Sequence, residues 1–160
     1  MSKENEKEVE LLTVHSRTDV EQVFHYSAGR YLNRFLTEMR DNAKIVGVKC
    51  PKCGIVYAPP KEVCDPCYAE MTEPVEVGPE GTIRNCTILR AAIVDPETGE
   101  TRPVPYTFGN VQLDGAGSLI QNYLEADDDS KIKVGARVVI EFRDERTGNM
   151  RDIKCFRVID

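Results

Sequence analysis

At 160 residues, 41% of them hydrophobic, the chain is long enough for one domain or two small ones and apolar enough to bury a core. Its 27 acidic residues against 21 basic ones give a net charge of −6, which argues against binding nucleic acid along a basic track. No apolar run approaches the roughly eighteen residues that a membrane span needs, and the charged start MSKENEKEVE lacks the apolar core of a secretory signal, so a cytoplasmic protein with reduced thiols is expected.

Residues 1–42 form the first unit. Residues 1–10 read as a polar tail, and from Thr18 the stretch TDVEQVFHYSAGRYLNRFLTEMRD acquires helical periodicity. Val20, Phe24, Tyr31, Phe35 and Met39 fall near one face, widened by Leu32 and Leu36. Thr18 with Glu21 fits a capping box, in which each side chain satisfies a free backbone donor of the first turn. A break is expected near Ser27-Ala28-Gly29. The apolar face has two destinations, the chain's own core or a partner. His25 has no second ligand at helical spacing and reads as a polar surface or interface residue.

Residues 43–72 carry the chain's most specific signal, GVKCPKCGIVYAPPKEVCDPC. Cys50/Cys53 and Cys64/Cys67 are two C-x-x-C pairs separated by ten residues, the spacing of two knuckles that present four sulfurs to one ion. Gly54 suits the tight backbone after the first pair, whereas the second is followed by Tyr68. Four thiolates leave no open coordination position, so the expected role is structural, with one zinc ion the first choice and iron the competing metal. Strands are expected in KIVGVKC, IVYAPP and KEVC, stopped by Pro59 and Pro60. So small a module would draw most of its folding free energy from the ion, on the order of 10 kcal/mol.

Residues 73–160 are strand-rich. Strands are predicted over 81–94, 105–113, 118–126, 137–143 and 152–158, separated by the turn sequences DPETGE, DGAG, KVGA and ERTGN. In RVVIEF, Val138, Ile140 and Phe142 share one face and Val139 and Glu141 the other, the period-two pattern of a half-buried strand. With no helix between them, five antiparallel strands suggest an OB-fold β-barrel, joined to the ribbon near residues 73–78; a general five-stranded barrel fits the pattern equally well, because propensity does not choose the strand order. Cys86 and Cys155 lie in apolar strand contexts, and the two histidines, His15 and His25, both fall in the N-terminal arm, so no nucleophile has an evident base.

Taken in order, the helix, GVKCPKCGIVYAPPKEVCDPC, GPEGTIRNCTIL, PYTFGNVQLDGAGSLIQNYL and KIKVGARVVIEF resemble the DUF35 family, described as a rubredoxin-like zinc ribbon plus an OB-fold in acyl-CoA-associated proteins. The resemblance covers residues 31–159 and carries over only Cys50, Cys53, Cys64 and Cys67, as zinc ligands. It implies a non-catalytic accessory subunit in a hetero-oligomer with a thiolase-like catalytic subunit, supporting assembly and acyl-CoA binding during thiolysis of a 3-oxoacyl-CoA. A thiolase of aromatic-compound degradation is one member type it is similar to. The longer acidic arm and the absence of Trp depart from many members. On this resemblance the first helix is expected to bury its face against the enzyme, near the acyl-CoA entrance. Lys61, Arg84, Arg90 and Arg102 are the cations that could meet coenzyme A phosphates, although each reads more readily as a solvated surface charge. The alternative is a single-stranded nucleic-acid-binding protein, since ribbons and OB-folds serve that role elsewhere.

Overall fold

A computed structural model of the chain describes residues 27–95 and 99–159. Helix α1, Gly29–Asn42, has no side-chain cap at Ala28, and Gly29 N–H instead donates to Ser27 Oγ at 3.1 Å. It closes on Ala43 in the left-handed region, φ 52°, whose N–H returns to the Glu38 carbonyl. Phe35, Leu36 and Met39 share the buried face, as their spacing demands. The Thr18/Glu21 box, Val20, Phe24, His15 and His25 lie outside the described residues.

Three strands follow: β1 Ile45–Lys49, β2 Val56–Tyr57 and β3 Glu73–Val77, in the antiparallel order β2-β1-β3. The last occupies the segment expected to join ribbon and barrel. All of it pairs with β1, from Glu73 opposite Lys49 to Val77 opposite Ile45. Alternate Val75 and Val77 reach the core, and Pro74 is tolerated because β3 is an edge strand. The KEVC segment forms no strand and contributes only an isolated bridge, Val63 to Glu70.

The remaining strands, β4 Glu80–Leu89, β5 Tyr106–Leu113, β6 Ile120–Glu125, β7 Arg137–Phe142 and β8 Ile153–Val158, close in the order β4-β5-β6-β8-β7. The expected all-antiparallel arrangement is corrected at one seam: β6 and β8 are parallel, Leu124 opposite Phe156. A ring with an odd number of strands cannot alternate direction throughout, so five strands force at least one parallel pair. The first barrel strand also stops at Leu89, short of the predicted Val94, which makes only a bridge to Thr101. In β7, Val138 and Ile140 are buried and Phe142 packs partly buried against the same core.

One apolar core runs through all three units. Phe35, Leu36 and Met39 of the helix join Ile45 and Val77 of the small sheet and Ile83, Val111, Ile140 and Phe156 of the barrel. Phe35 and Met39 are fully buried here, which corrects, for these two residues, the expectation that the face docks on a partner. Tyr31 packs, half-buried, on a second cluster built from Val48, Cys50, Tyr57, Cys64, Ala69 and Met71. The ribbon is also tied to the β5–β6 turn: Gly117 N–H donates to the Val56 carbonyl at 2.7 Å, and Ser118 Oγ accepts from Ala58 N–H at 2.7 Å and donates to its carbonyl at 2.8 Å. No helix among the described residues is long and apolar enough to cross a membrane.

Candidate metal centre and its surroundings

Both C-x-x-C pairs fold into the same turn. In the first, Cys50 N–H donates to the Ile55 carbonyl at 2.8 Å and Gly54 N–H to the Cys50 carbonyl at 3.0 Å; in the second, Cys64 N–H reaches Ala69 at 2.9 Å and Tyr68 N–H reaches Cys64 at 2.8 Å. Lys52 N–H also points at Cys50 Sγ, 3.4 Å away. Each turn is completed by a residue of positive φ, 76° at Gly54 and 51° at Tyr68. Tyr68 stands where the first pair has glycine, yet its backbone does not deviate from the turn.

The turns bring the four sulfurs within 4.8 Å of one another, with Cys53 and Cys64 Sγ 3.6 Å apart. A tetrahedral ion with metal–sulfur bonds of about 2.3 Å requires sulfur separations of about 3.8 Å, so the cluster could hold one metal ion. Cys50 and Cys64 are buried, Cys67 half-buried and Cys53 exposed. The Cys53 backbone N–H holds the Cys50 thiol down at about 6. Cys67 is pushed up to about 12, first by its hydrogen bond to the Cys53 sulfur and then by burial, and burial raises Cys64 as well. Four negative sulfurs do not coexist at this spacing on their own; a divalent cation would supply the missing charge.

The other candidates do not converge on this centre. Cys155 is buried in the barrel wall, its thiol pushed up to about 12 chiefly by burial and donating to Glu141 Oε2 at 3.4 Å. Cys86 is partly buried on β4. Lys61 pairs with Asp65 at 2.6 Å and sits 5.0 Å from the Tyr57 ring, and Arg84 donates to Gln112 at 2.8 Å. Arg90 and Arg102 are brought together, lining one groove beside β4 with Arg157.

A feature missed in the sequence is a cleft of about 850 Å³ between the β4–β5 loop, the β5–β6 face and the β7–β8 loop, the face on which OB-folds commonly take ligands. Its floor is aromatic. Tyr106 and Phe108 meet Tyr123 edge-on at 5.6 and 5.2 Å, and the Arg102 guanidinium lies 3.8 Å over the Tyr123 ring. Tyr106 and Phe108 stand two apart on β5, so period-two reading of that strand could have found them. The β7–β8 loop is held by Asp152, 2% exposed, whose carboxylate accepts the N–H groups of Thr147, Gly148 and Asn149 at 2.9, 2.8 and 3.3 Å. Arg151 forks onto Asp95 with two bonds of 2.9 Å, joining the two loops.

Comparison with known proteins bears on both halves. Residues 74–143 match the family described as ChsH2, C-terminal OB-fold domain. A DUF35 domain-containing scaffold protein of Methanocaldococcus jannaschii is 23% identical over 100 residues, 62% of this chain and 67% of that one. Among solved structures, a DUF35-family protein of unknown function from Sulfolobus solfataricus superimposes with a TM-score of 0.55 at 24% identity, over 79% of this chain and 83% of that one. The Ltp2–ChsH2(DUF35) aldolase gives a TM-score of 0.56 at 20% identity, over 82% of this chain and 97% of the matched chain. These structural likenesses show the fold.

Proposed function

The chain is a DUF35-family protein, and on that premise we propose that it is a non-catalytic, zinc-containing accessory subunit of a thiolase-type complex, supporting assembly and acyl-CoA binding during thiolytic cleavage of a 3-oxoacyl-CoA. The observation that carries the reading is the fate of the thiols. Thiolysis needs an activated cysteine, a base and an oxyanion site. Four of the six cysteines converge on one candidate ion site, Cys155 is a buried thiol pushed away from ionisation, and Cys86, partly buried on β4, has no histidine beside it among the described residues. That leaves the chemistry to another chain. The scaffold relative and the aldolase complex with a ChsH2 subunit support such a division of labour.

In this reading Cys50, Cys53, Cys64 and Cys67 hold zinc, which supplies a cross-link between the two knuckles. The cytoplasm keeps these thiols reduced for the metal. The cation offered to a phosphate-bearing cofactor is Arg90; Arg102 shares its groove but is paired with Glu125 at 3.5 Å. In its finer form the proposal takes the partner to be a thiolase of aromatic-compound degradation. Nucleic-acid binding is disfavoured by the pairing of three of the four cleft cations with protein carboxylates: Arg102 with Glu125, Arg151 with Asp95, Lys154 with Glu141. The test is co-expression with the neighbouring open reading frames, followed by sizing and a thiolysis assay with this gene present or deleted. A hetero-oligomer whose activity falls on deletion is expected; a monomer beside a fully active thiolase refutes the proposal.

A further inference from the structure

We infer that the second knuckle, residues 64–69, is a contact surface for the enzyme subunit, with Tyr68 as its anchor; this rests on the accessory-subunit reading. The two knuckles supply an internal control. At equivalent positions, with equivalent backbone hydrogen bonds to the first cysteine of the pair, one has Gly54 at φ 76° and the other Tyr68 at φ 51°. Glycine holds that conformation with no Cβ penalty, and tyrosine does not. Among the described residues nothing offsets the difference: Tyr68 is 86% exposed, its ring makes no stacking contact and its hydroxyl no hydrogen bond.

A pocket on a partner would offset it. Tyrosine is among the residues that carry most of an interface's binding energy when seated in a desolvated pocket. Val63, 49% exposed, and the exposed Pro66 lie in the same turn and extend the apolar surface. The rim is acidic. Asp65 is neutralised by Lys61, whereas Glu62 and Glu70 make no ion pair among the described residues. Surplus negative charge around an apolar anchor fits an enzyme surface with an aromatic-sized pocket edged by Lys or Arg, and repels a polyanion.

The test compares wild type, Tyr68→Gly, Tyr68→Phe and Glu70→Lys, each for metal content, for thermal midpoint as the metal-loaded chain, and for affinity to the enzyme subunit recovered with it on co-expression with the neighbouring open reading frames. Tyr68→Gly is expected to keep its metal and to raise the midpoint by roughly 2–4 °C, because strain is removed. The same variant should weaken association about 30-fold or more, while Tyr68→Phe stays within about threefold because the ring is retained. Glu70→Lys should slow association and flatten its salt dependence. If Tyr68→Gly binds the enzyme within twofold of wild type, or if its midpoint falls, the inference is overturned while the accessory reading stands. If the wild-type chain itself does not associate, both fall. Binding of a single-stranded oligonucleotide that is lost in Tyr68→Gly would likewise overturn it.

Discussion

Replacing Phe35 by alanine separates two roles for the first helix. Phe35 is fully buried in the core that α1 shares with β1, β3 and the barrel, next to Leu36 and Met39. Emptying such a site removes the ring's transfer free energy and leaves a cavity, which together cost about 3–5 kcal/mol. At about 2–4 °C per kcal/mol for a chain of this size, the midpoint of the isolated, metal-loaded chain should fall by roughly 6–20 °C. A ring waiting for a partner would instead be exposed in the free chain, and its loss would change stability by no more than about 0.5 kcal/mol. Far-ultraviolet circular dichroism during heating reads the difference directly. Partner binding is then measured well below the variant's midpoint, where most chains remain folded. A midpoint within 2 °C of wild type, combined with loss of the complex, would refute the internal packing and return the helix face to the interface.

The metal centre should hold one ion per chain, zinc by elemental analysis; a red, iron-containing product without zinc would overturn the assignment. Cys64→Ala should abolish stoichiometric binding and melt the ribbon, because a structural zinc contributes on the order of 10 kcal/mol, whereas Cys86→Ala should leave metal content unchanged. Asp152→Ala strands the three backbone donors that its carboxylate satisfies, for a loss of about 2–3 kcal/mol. It should open the β7–β8 loop to limited proteolysis. An uncut loop would show that Asp152 does not hold it.

Local chemistry was legible in the sequence wherever spacing dictates geometry. The two C-x-x-C pairs announced the four-sulfur cluster, and the alternation in RVVIEF announced which side chains of β7 face inward. Strand direction was not legible, because period two assigns faces and says nothing of polarity; the parity of a five-membered ring demands a parallel pair without placing it at the β6–β8 seam. Strand β3 was hidden by Pro74, a residue that reads as a breaker until its edge position is known. Phe35 and Met39 looked available because a helix face does not name what covers it. The aromatic floor of the cleft needed three-dimensional closure: Tyr123 comes from a different strand than Tyr106 and Phe108.

The attachment of the ribbon to the barrel gives the metal a reach beyond its own turns. Strand β1 runs directly into Cys50 and carries β2 on one edge and β3 on the other. From β3 the chain passes to the barrel through Gly78, whose N–H is held by the Asp114 carbonyl at 3.0 Å. On the opposite side, the Gly117–Ser118 turn grips residues 56–58, and it can do so only because position 117 lacks a Cβ, which would stand 2.8 Å from Ile55 Cγ2. A ribbon held by both a continuous strand and a reciprocal hydrogen-bonded clamp cannot swing on a linker. The knuckles are therefore presented at a set angle to the β5–β6 face. An ion that locks the knuckles then also locks the surface that Tyr68 offers relative to the barrel, and pre-arranged surfaces of this kind lower the ordering cost of association.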